Sequence, residues 1–388
     1  MRIAYIGQKG IPMIQGGVEA HVENLAINMA RLGHEVFVYT RSYYTDKNLK
    51  EYKGVKLISI PSLKTKNLDA ITHTLFSTIH ALFQKYDVIH YHSVGASLLS
   101  FIPRIFTRAK IIGTFHCQDR FHQKWGAFAK FMLHLGEWTV CKFPHVTISV
   151  SKYIQKYCLK KYNTETIFIP NGFEIAENFN TEILEKFNIK PKKYFLCVTR
   201  LIKHKGVHYL IDAYKKLNNS EFQLVIVGDT FYNDKYKKQL TDLAKNNKDI
   251  VFTGTLMGDD LNSIFTNAYA YILASENEGL SISLLEAMAH GIPTIVSNIG
   301  ANEDFIEKDL VYAFENKNVD KLKDTIKELI NNYEKAILKA HKASKYIKEN
   351  FSWETISKQT QDVYKEKNEC LQYLHKKIFT RKTSVKIN

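Results

Sequence analysis

Cysteine, proline and long apolar runs are all scarce in this sequence. Its five cysteines, Cys117, Cys141, Cys158, Cys197 and Cys370, are odd in number, scattered, and form no C-x-x-C pair. That usage excludes a disulfide framework, offers no thiolate zinc site and fits a reducing compartment. Seven prolines beside 45% hydrophobic residues, 23 Phe and 22 Tyr give a globular rather than a disordered composition. No apolar run approaches the ~18–20 uncharged residues of a membrane span, and residues 2–7 read as a short strand rather than a signal segment. The expectation is a soluble, unexported, cytoplasmic chain. Also missing are G-x-G-x-x-G after a first strand, the P-loop G-x-x-x-x-G-K-[ST] and H-E-x-x-H. These gaps count against a common NAD enzyme, a P-loop ATPase and a zincin.

What is present is length and positive charge. The 388 residues fit two domains of roughly 180–200 residues each. The net charge of +15 is uneven: residues 1–190 hold 24 basic and 14 acidic side chains, 191–369 hold 25 of each, and 370–388 hold 5 basic and no acidic ones. A basic first half suits nucleic acid, an anionic membrane or a phosphate-bearing substrate, and a solvated lysine-rich surface fits equally well.

Strand-like runs alternate with helical patterns through both halves, the signature of parallel βαβ units. Strands are predicted at 2–7, 35–40, 55–60, 88–91, 110–115 and 146–150, with helices at 18–32, 68–85, 96–107 and 127–142 between them. The turn Ile169-Pro170-Asn171-Gly172 closes this pattern and marks the linker. The pattern restarts with strands at 194–199, 222–227, 250–253, 270–273 and 293–296. Helices are predicted near 206–217, 235–246, 260–267, 283–289 and 319–331, and one long polar helix covers 334–369. The fold class is therefore α/β, two tandem Rossmann-like domains facing a cleft. Residues 1–170 form the first domain, 171–364 the second and 365–388 a basic tail. Ligands of such sheets bind beyond the carboxyl ends of the strands.

Four segments lie where that rule puts chemistry. Gly16-Gly17 opens the first helix and lets backbone N–H groups approach an anion or a sugar, although a flexible glycine turn accounts for it as well. His116, after the strand 110–115, would project into the cleft; His90 and His92 are rivals, and one histidine among 15 is more often structural. The turn from Arg200 to Lys205-Gly206 gathers cations that can neutralise a diphosphate, or be a plain exposed basic turn. Most specific is the run from Glu276 to Pro293, in which Glu278, Gly279, Leu280 and Ser281 lead into a helix carrying Glu286. Two carboxylates there can accept from hydroxyl groups of one ligand while free N–H groups face its phosphate.

Together these segments resemble the retaining glycosyltransferases of family 4, which have the GT-B fold. The likeness rests on E-x7-E at Glu278 and Glu286 within E-G-L-x-x-x-L-L-E-A-M-A-x-G-x-P, on R-x4-K-G at Arg200, Lys205 and Gly206, on Gly16-Gly17 with G-V-E-x-H-V-E-x-L, on D-V-I-H-Y-H at 87–92 and on I-P-N-G at 169–172. Its amino-terminal segment is most similar to the rhamnosyltransferase-like branch. The resemblance implies sugar transfer from a nucleotide diphosphate-sugar, a co-substrate rather than a cofactor, to an acceptor hydroxyl in cell-surface polysaccharide or glycolipid assembly. By carry-over, Arg200 and Lys205 hold the diphosphate, Glu286 the ribose, Glu278 with Gly279, Leu280 and Ser281 the donor sugar; His116 approaches the reacting centre, and Gly16 and Gly17 line the phosphate and acceptor side. The lack of any D-x-D agrees with the metal-independent chemistry usual for the fold. Leu280-Ser281 replaces the Phe-Gly often found there, which bears on the shape of the sugar pocket.

The implied partners are a nucleotide-sugar, a saccharide or lipid-linked acceptor and an anionic membrane surface at the inner face of the membrane, with no nucleic acid. The patch 121–131 and the tail around 376–382 mix bulky apolar and basic residues as interfacial segments do. Two rivals stand beside this reading: a nucleotide-sugar 2-epimerase, which needs no acceptor, and a non-enzymatic basic protein binding membrane or nucleic acid.

Overall fold

The structure, a computed structural model, describes residues 1–366 except 64, 66, 67, 122–125, 176–178, 180, 181 and 231–234. Part of the patch 121–131, and the tail from 367 onward with Cys370, lie outside the described residues.

Two sheets carry the fold. The first is β1 (Arg2–Ile6), β2 (Glu35–Arg41), β3 (Glu51–Tyr52), β4 (Val55–Ile60), β5 (Val88–His92), β6 (Lys110–Phe115), β7 (Val146–Ser149) and β8 (Ile167–Phe168), in the order β3-β4-β2-β1-β5-β6-β7-β8. The second is β9 (Tyr194–Val198), β10 (Gln223–Val227), β11 (Ile250–Gly254), β12 (Ala270–Leu273), β13 (Thr294–Ser297) and β14 (Tyr312–Phe314), in the order β11-β10-β9-β12-β13-β14. Pairing is parallel throughout except between β3 and β4. Strands covered on both faces need apolar residues on both, which is why Leu224, Val225, Ile226 and Val227 run uninterrupted and all are buried. Helices bury one stripe: Val207, Leu210, Ile211, Tyr214 and Leu217 of the helix Val207–Leu217 pack beneath the second sheet.

A single apolar core passes between the domains, from Val94, Phe115, Val140 and Ile154 through Leu280 to Leu284, Leu285 and Met288. Among the described residues no helix is long and apolar enough to cross a membrane.

Three local differences from the pattern reading have visible causes. The stretch expected as one helix over 96–107 is two, Val94–Ser97 and Phe101–Phe106. Pro103 supplies no N–H to a helix running through it, and Ser97 and Ser100 turn their hydroxyls onto the carbonyls of Ser93 and Ser97. The helix Lys152–Tyr162, with Ser151 capping it through Ile154 N at 3.3 Å, has no counterpart in that reading. The long helix over 334–369 breaks at Phe351, giving Tyr333–Asn350 and Trp353–Lys365. Ser352 caps the second piece by accepting from Thr355 N at 3.2 Å.

That break redirects the chain. Trp353, Ile356, Val363 and Tyr364 bury themselves among Ile3, Tyr5, Val22, Leu25 and Val36 of the first domain. Residues 353–364, assigned by chain order to the second domain, therefore complete the core of the first. The chain crosses between domains twice, and the crossings touch: Phe173 bridges to Ser352, Phe173 N donates to Phe351 O at 3.1 Å, and Gly172 lies flat against the Trp353 ring.

Candidate functional site

Loops at the carboxyl ends of β6, β9 and β12, with the start of the first helix, Gly17–Arg31, meet in the cleft. After β9 the chain turns through Arg200 to Lys205 and enters the helix Val207–Leu217 at Gly206, whose φ is +69°. A side chain there would strike Ala274 O, so only glycine brings this turn against β12. After β12 the loop through Glu276 and Glu278 leads to Ser281, which caps the helix Ile282–Ala289.

Lys205 Nζ and Glu278 Oε1 form an ion pair between the two loops, the side chains only 13% and 10% exposed. Arg200 makes no side-chain hydrogen bond or ion pair among the described residues and is half-buried. The N–H groups of Gly279, Leu280 and Ser281 likewise carry no intramolecular hydrogen bond there. The site thus presents a cation and a row of free N–H donors where the sequence motif predicts a bound anion. Glu276 is differently employed: it accepts from Tyr209 at 3.1 Å and pairs with Lys317 at 3.0 Å.

Glu286 lies on the helix Ile282–Ala289 and makes no side-chain bond among the described residues. Burial, helped by the negative charge of Glu174, raises its carboxyl to about 7. Leu280 turns its side chain into the interdomain core, so only its backbone faces the cleft. Behind it a cavity of about 260 Å³, lined by Tyr153, Lys152, Gly300 and Phe351 among others, contains no other residue of the predicted site.

His116 of the first domain and Asn171 of the linker turn meet this loop. Gly279 packs directly on His116 O, a contact that a Cβ would make impossible. Asn171 Nδ2 donates to Leu280 O at 2.7 Å while its Oδ1 lies 2.9 Å from His21 Nδ1. Gln15 Nε2 donates to Asp229 O at 2.6 Å, a third link from the glycine loop to the second domain.

His116 is buried, and its Nε2 stands 3.1 Å from His92 Nδ1. Burial and the neighbouring imidazoles hold both rings well below the usual histidine range, so both are neutral at neutral pH. His90, the other rival, is held by Tyr364 OH and Thr114 Oγ1, each at 2.6 Å, and is a core residue. The two glycines at the first helix differ. Gly17 faces open space, whereas the Glu19 carboxylate folds back over Gly16 and accepts from Lys9 N at 3.2 Å.

The structure therefore gathers His116, Lys205, Glu278, Gly279, Leu280 and Ser281 around one junction. Asn171 and His21 were not singled out from the sequence, whereas His92 was weighed there as a rival of His116 and stands beside it. Each stood inside a recognised motif, G-V-E-x-H-V-E-x-L, D-V-I-H-Y-H or I-P-N-G.

Two facing α/β domains with a cation-bearing loop, an acidic loop and free N–H donors in the cleft define a transferase of GT-B type. Residues 15–177 match the family described as Glycosyltransferase Family 4, and residues 179–350 match Glycosyl transferases group 1. An uncharacterized glycosyltransferase of Methanocaldococcus jannaschii is 28% identical, covering 94% of this chain and 98% of its own. The alpha-monoglucosyldiacylglycerol synthase of Streptococcus pneumoniae is 24% identical over 76% of this chain and 70% of its own. Anabaena HepE, solved in complex with UDP and glucose, shares the fold at a TM-score of 0.76 and 19% identity, covering 94% of this chain and 99% of that one. The chain belongs to the family-4 glycosyltransferases of GT-B fold, and it is a glycosyltransferase.

Proposed function

We propose that the protein moves a sugar, with retention of anomeric configuration, from a nucleotide diphosphate-sugar on the second domain to an acceptor hydroxyl presented by the first. The observation that carries this is the Lys205–Glu278 pair set beside the unpaired N–H groups of Gly279 to Ser281. In the reaction the bond from the anomeric carbon to the diphosphate oxygen breaks and a bond to the acceptor oxygen forms on the same face. The acceptor proton leaves with the departing diphosphate. Arg200 and Lys205 compensate the charge that builds on that leaving group, so no metal ion is required on it. Glu286 accepts from the ribose hydroxyls, Glu278 and the loop N–H groups hold the donor sugar, and His116 sits by the reacting carbon. Gly17 leaves room for the acceptor.

The acceptor in this reading is lipid-linked and the setting is an anionic membrane surface, in polysaccharide or glycolipid assembly; the glycolipid named for one relative supports it. Of the 20 large apolar side chains exposed among the described residues, 17 lie before residue 170. Phe128, Phe131, Leu135 and Trp138 form one stripe on the helix Ala127–Lys142, exposed by 77%, 62%, 37% and 41%. The rings of Trp138, Phe143 and Phe101 continue it toward Ile105 and Phe106, with Arg104, Arg108, Lys130 and Lys142 alongside.

The test is nucleoside diphosphate release from a panel of UDP-, GDP- and dTDP-sugars, with and without lipid-linked acceptor, and the anomeric configuration of the product by NMR. Acceptor-dependent release with one donor, lost in Lys205→Ala and Glu278→Ala, is expected. Turnover without acceptor that yields an epimerised sugar would replace this reading by the epimerase.

A further inference from the structure

Three histidines converge that the transfer reaction does not require as a group. His21 comes from the helix Gly17–Arg31, His92 from the end of β5 and His116 from beyond β6. One ring nitrogen of each lies within 4.8 Å of the other two, and all three side chains are buried. His92 Nδ1 and His116 Nε2 are 3.1 Å apart. Two nitrogens bound to one tetrahedral ion at about 2.0–2.1 Å stand about 3.3 Å apart, so this pair is already spaced as ligands are.

The third ring is oriented by its other nitrogen. Asn171 commits its Nδ2 to Leu280 O, so its Oδ1 is an acceptor at 2.9 Å from His21 Nδ1 and fixes the proton there. His21 Nε2 is left with a bare lone pair. An outer acceptor on the far nitrogen is how metal-ligating imidazoles are held. Among the described residues His92 Nε2 is buried with no hydrogen-bond partner, so its acceptor capacity is unused. The group contains no carboxylate and no thiolate. Three neutral imidazoles suit Zn²⁺, Co²⁺ or Ni²⁺ and are poor ligands for Mg²⁺ or Ca²⁺.

We propose that His21, His92 and His116 bind one divalent transition-metal ion of the zinc class, with a fourth position open for water or substrate. Through its Nε2 the ion holds His116 as the Nδ1–H tautomer, a hydrogen-bond donor. The position of the donor-sugar loop and the ion are then linked through Asn171, because the same amide orients His21 and holds Leu280 O. The site is distinct from the diphosphate site and stands whether or not the donor assignment does.

The experiment uses the full chain, stripped with a chelator, titrated with Co²⁺ and with Zn²⁺ against a chromophoric chelator, with bound metal counted after gel filtration. One ion per chain is expected, with visible Co²⁺ bands of a nitrogen-ligated four-coordinate site. His92→Gln and His21→Gln each lower the affinity at least tenfold, Asn171→Ala lowers it about tenfold, and His208→Gln, outside the cluster, leaves it unchanged. Circular dichroism without metal identifies the folded variants, and the metal-induced rise in melting temperature of the wild type is lost in them. Less than about one-tenth of an ion per chain overturns the proposal. So does a full ion whose affinity none of the cluster substitutions changes, for surface histidines then hold it.

Discussion

Glu286 is a carboxyl group placed where ionisation is costly, and that makes its own test. Its folded-state pKa of about 7 lies above the ordinary value of 4.5. Below about pH 4 the group is neutral in both states and costs nothing. Between about 4.5 and 7 the unfolded chain releases the proton first, and above 7 the full penalty applies, at most ~3 kcal/mol. Glu286→Gln is therefore expected to raise the ligand-free stability by ~1–3 kcal/mol at pH 8 and to leave it unchanged at pH 4, as read from urea midpoints at the two pH values. Lys205→Ala acts oppositely. It leaves Glu278 buried without its partner, so turnover falls by ~10²–10³ and stability by ~3 kcal/mol, whereas the double variant Lys205→Ala with Glu278→Ala is less destabilised than Lys205→Ala alone; steady-state kinetics and thermal melts check both. Both residues were legible as motif members in the sequence. Their pairing was not, because a contact spanning 73 positions is created only when the two loops leave adjacent strands.

The longer helices and strands of the second half were legible because buried parallel strands and amphipathic helices write their period directly into the chain, whereas the three-residue β14 and the five-residue helices Glu182–Lys186 and Glu303–Glu307 were not read. Two-residue strands such as β3 and β8 carry no period to read, and the helix Lys152–Tyr162 is polar enough to pass for a loop. The division at Phe351–Ser352 was hidden by an uninterrupted polar pattern, although Ser352 beside Trp353 is a helix start with a mechanism. Trp353 is the residue that decides where this last helix goes. It is 6% exposed, packs on Gly172 and stands edge-on to His21 with ring centroids 5.4 Å apart. Trp353→Ala is expected to cost ~3–5 kcal/mol. Near-UV circular dichroism and urea unfolding would show it, with loosening in the first domain although the substituted residue lies beyond the second in sequence.

Charge and apolar exposure are properties of the whole molecule, and both are biased to the first half. Vesicles rich in anionic lipid are expected to float the protein, neutral vesicles far less, and 0.5 M salt to release it from the former, since exposed charges are screened beyond a few ångströms at that strength. Phe128→Ser with Phe131→Ser is expected to lower flotation at least tenfold without changing the melting temperature. Equal absence from both floating fractions would remove the membrane from the proposed function.

The return of residues 353–365 to the first domain bears on how the chain is made. Synthesis runs from the amino terminus, and domains ordinarily fold as they emerge. Here the first sheet is translated early but waits for Trp353, Ile356, Val363 and Tyr364, among the last described residues to leave the ribosome, before its apolar face is covered. The second domain, whose sheet lies wholly within 194–314, can fold before the first is sealed. A released chain that ends at Phe351, which keeps Ala343, Ile347 and Phe351 in the core of the second domain, would therefore carry a protease-resistant carboxyl-terminal half attached to an amino-terminal half that is still open to cleavage, the reverse of the order in which the two were synthesised.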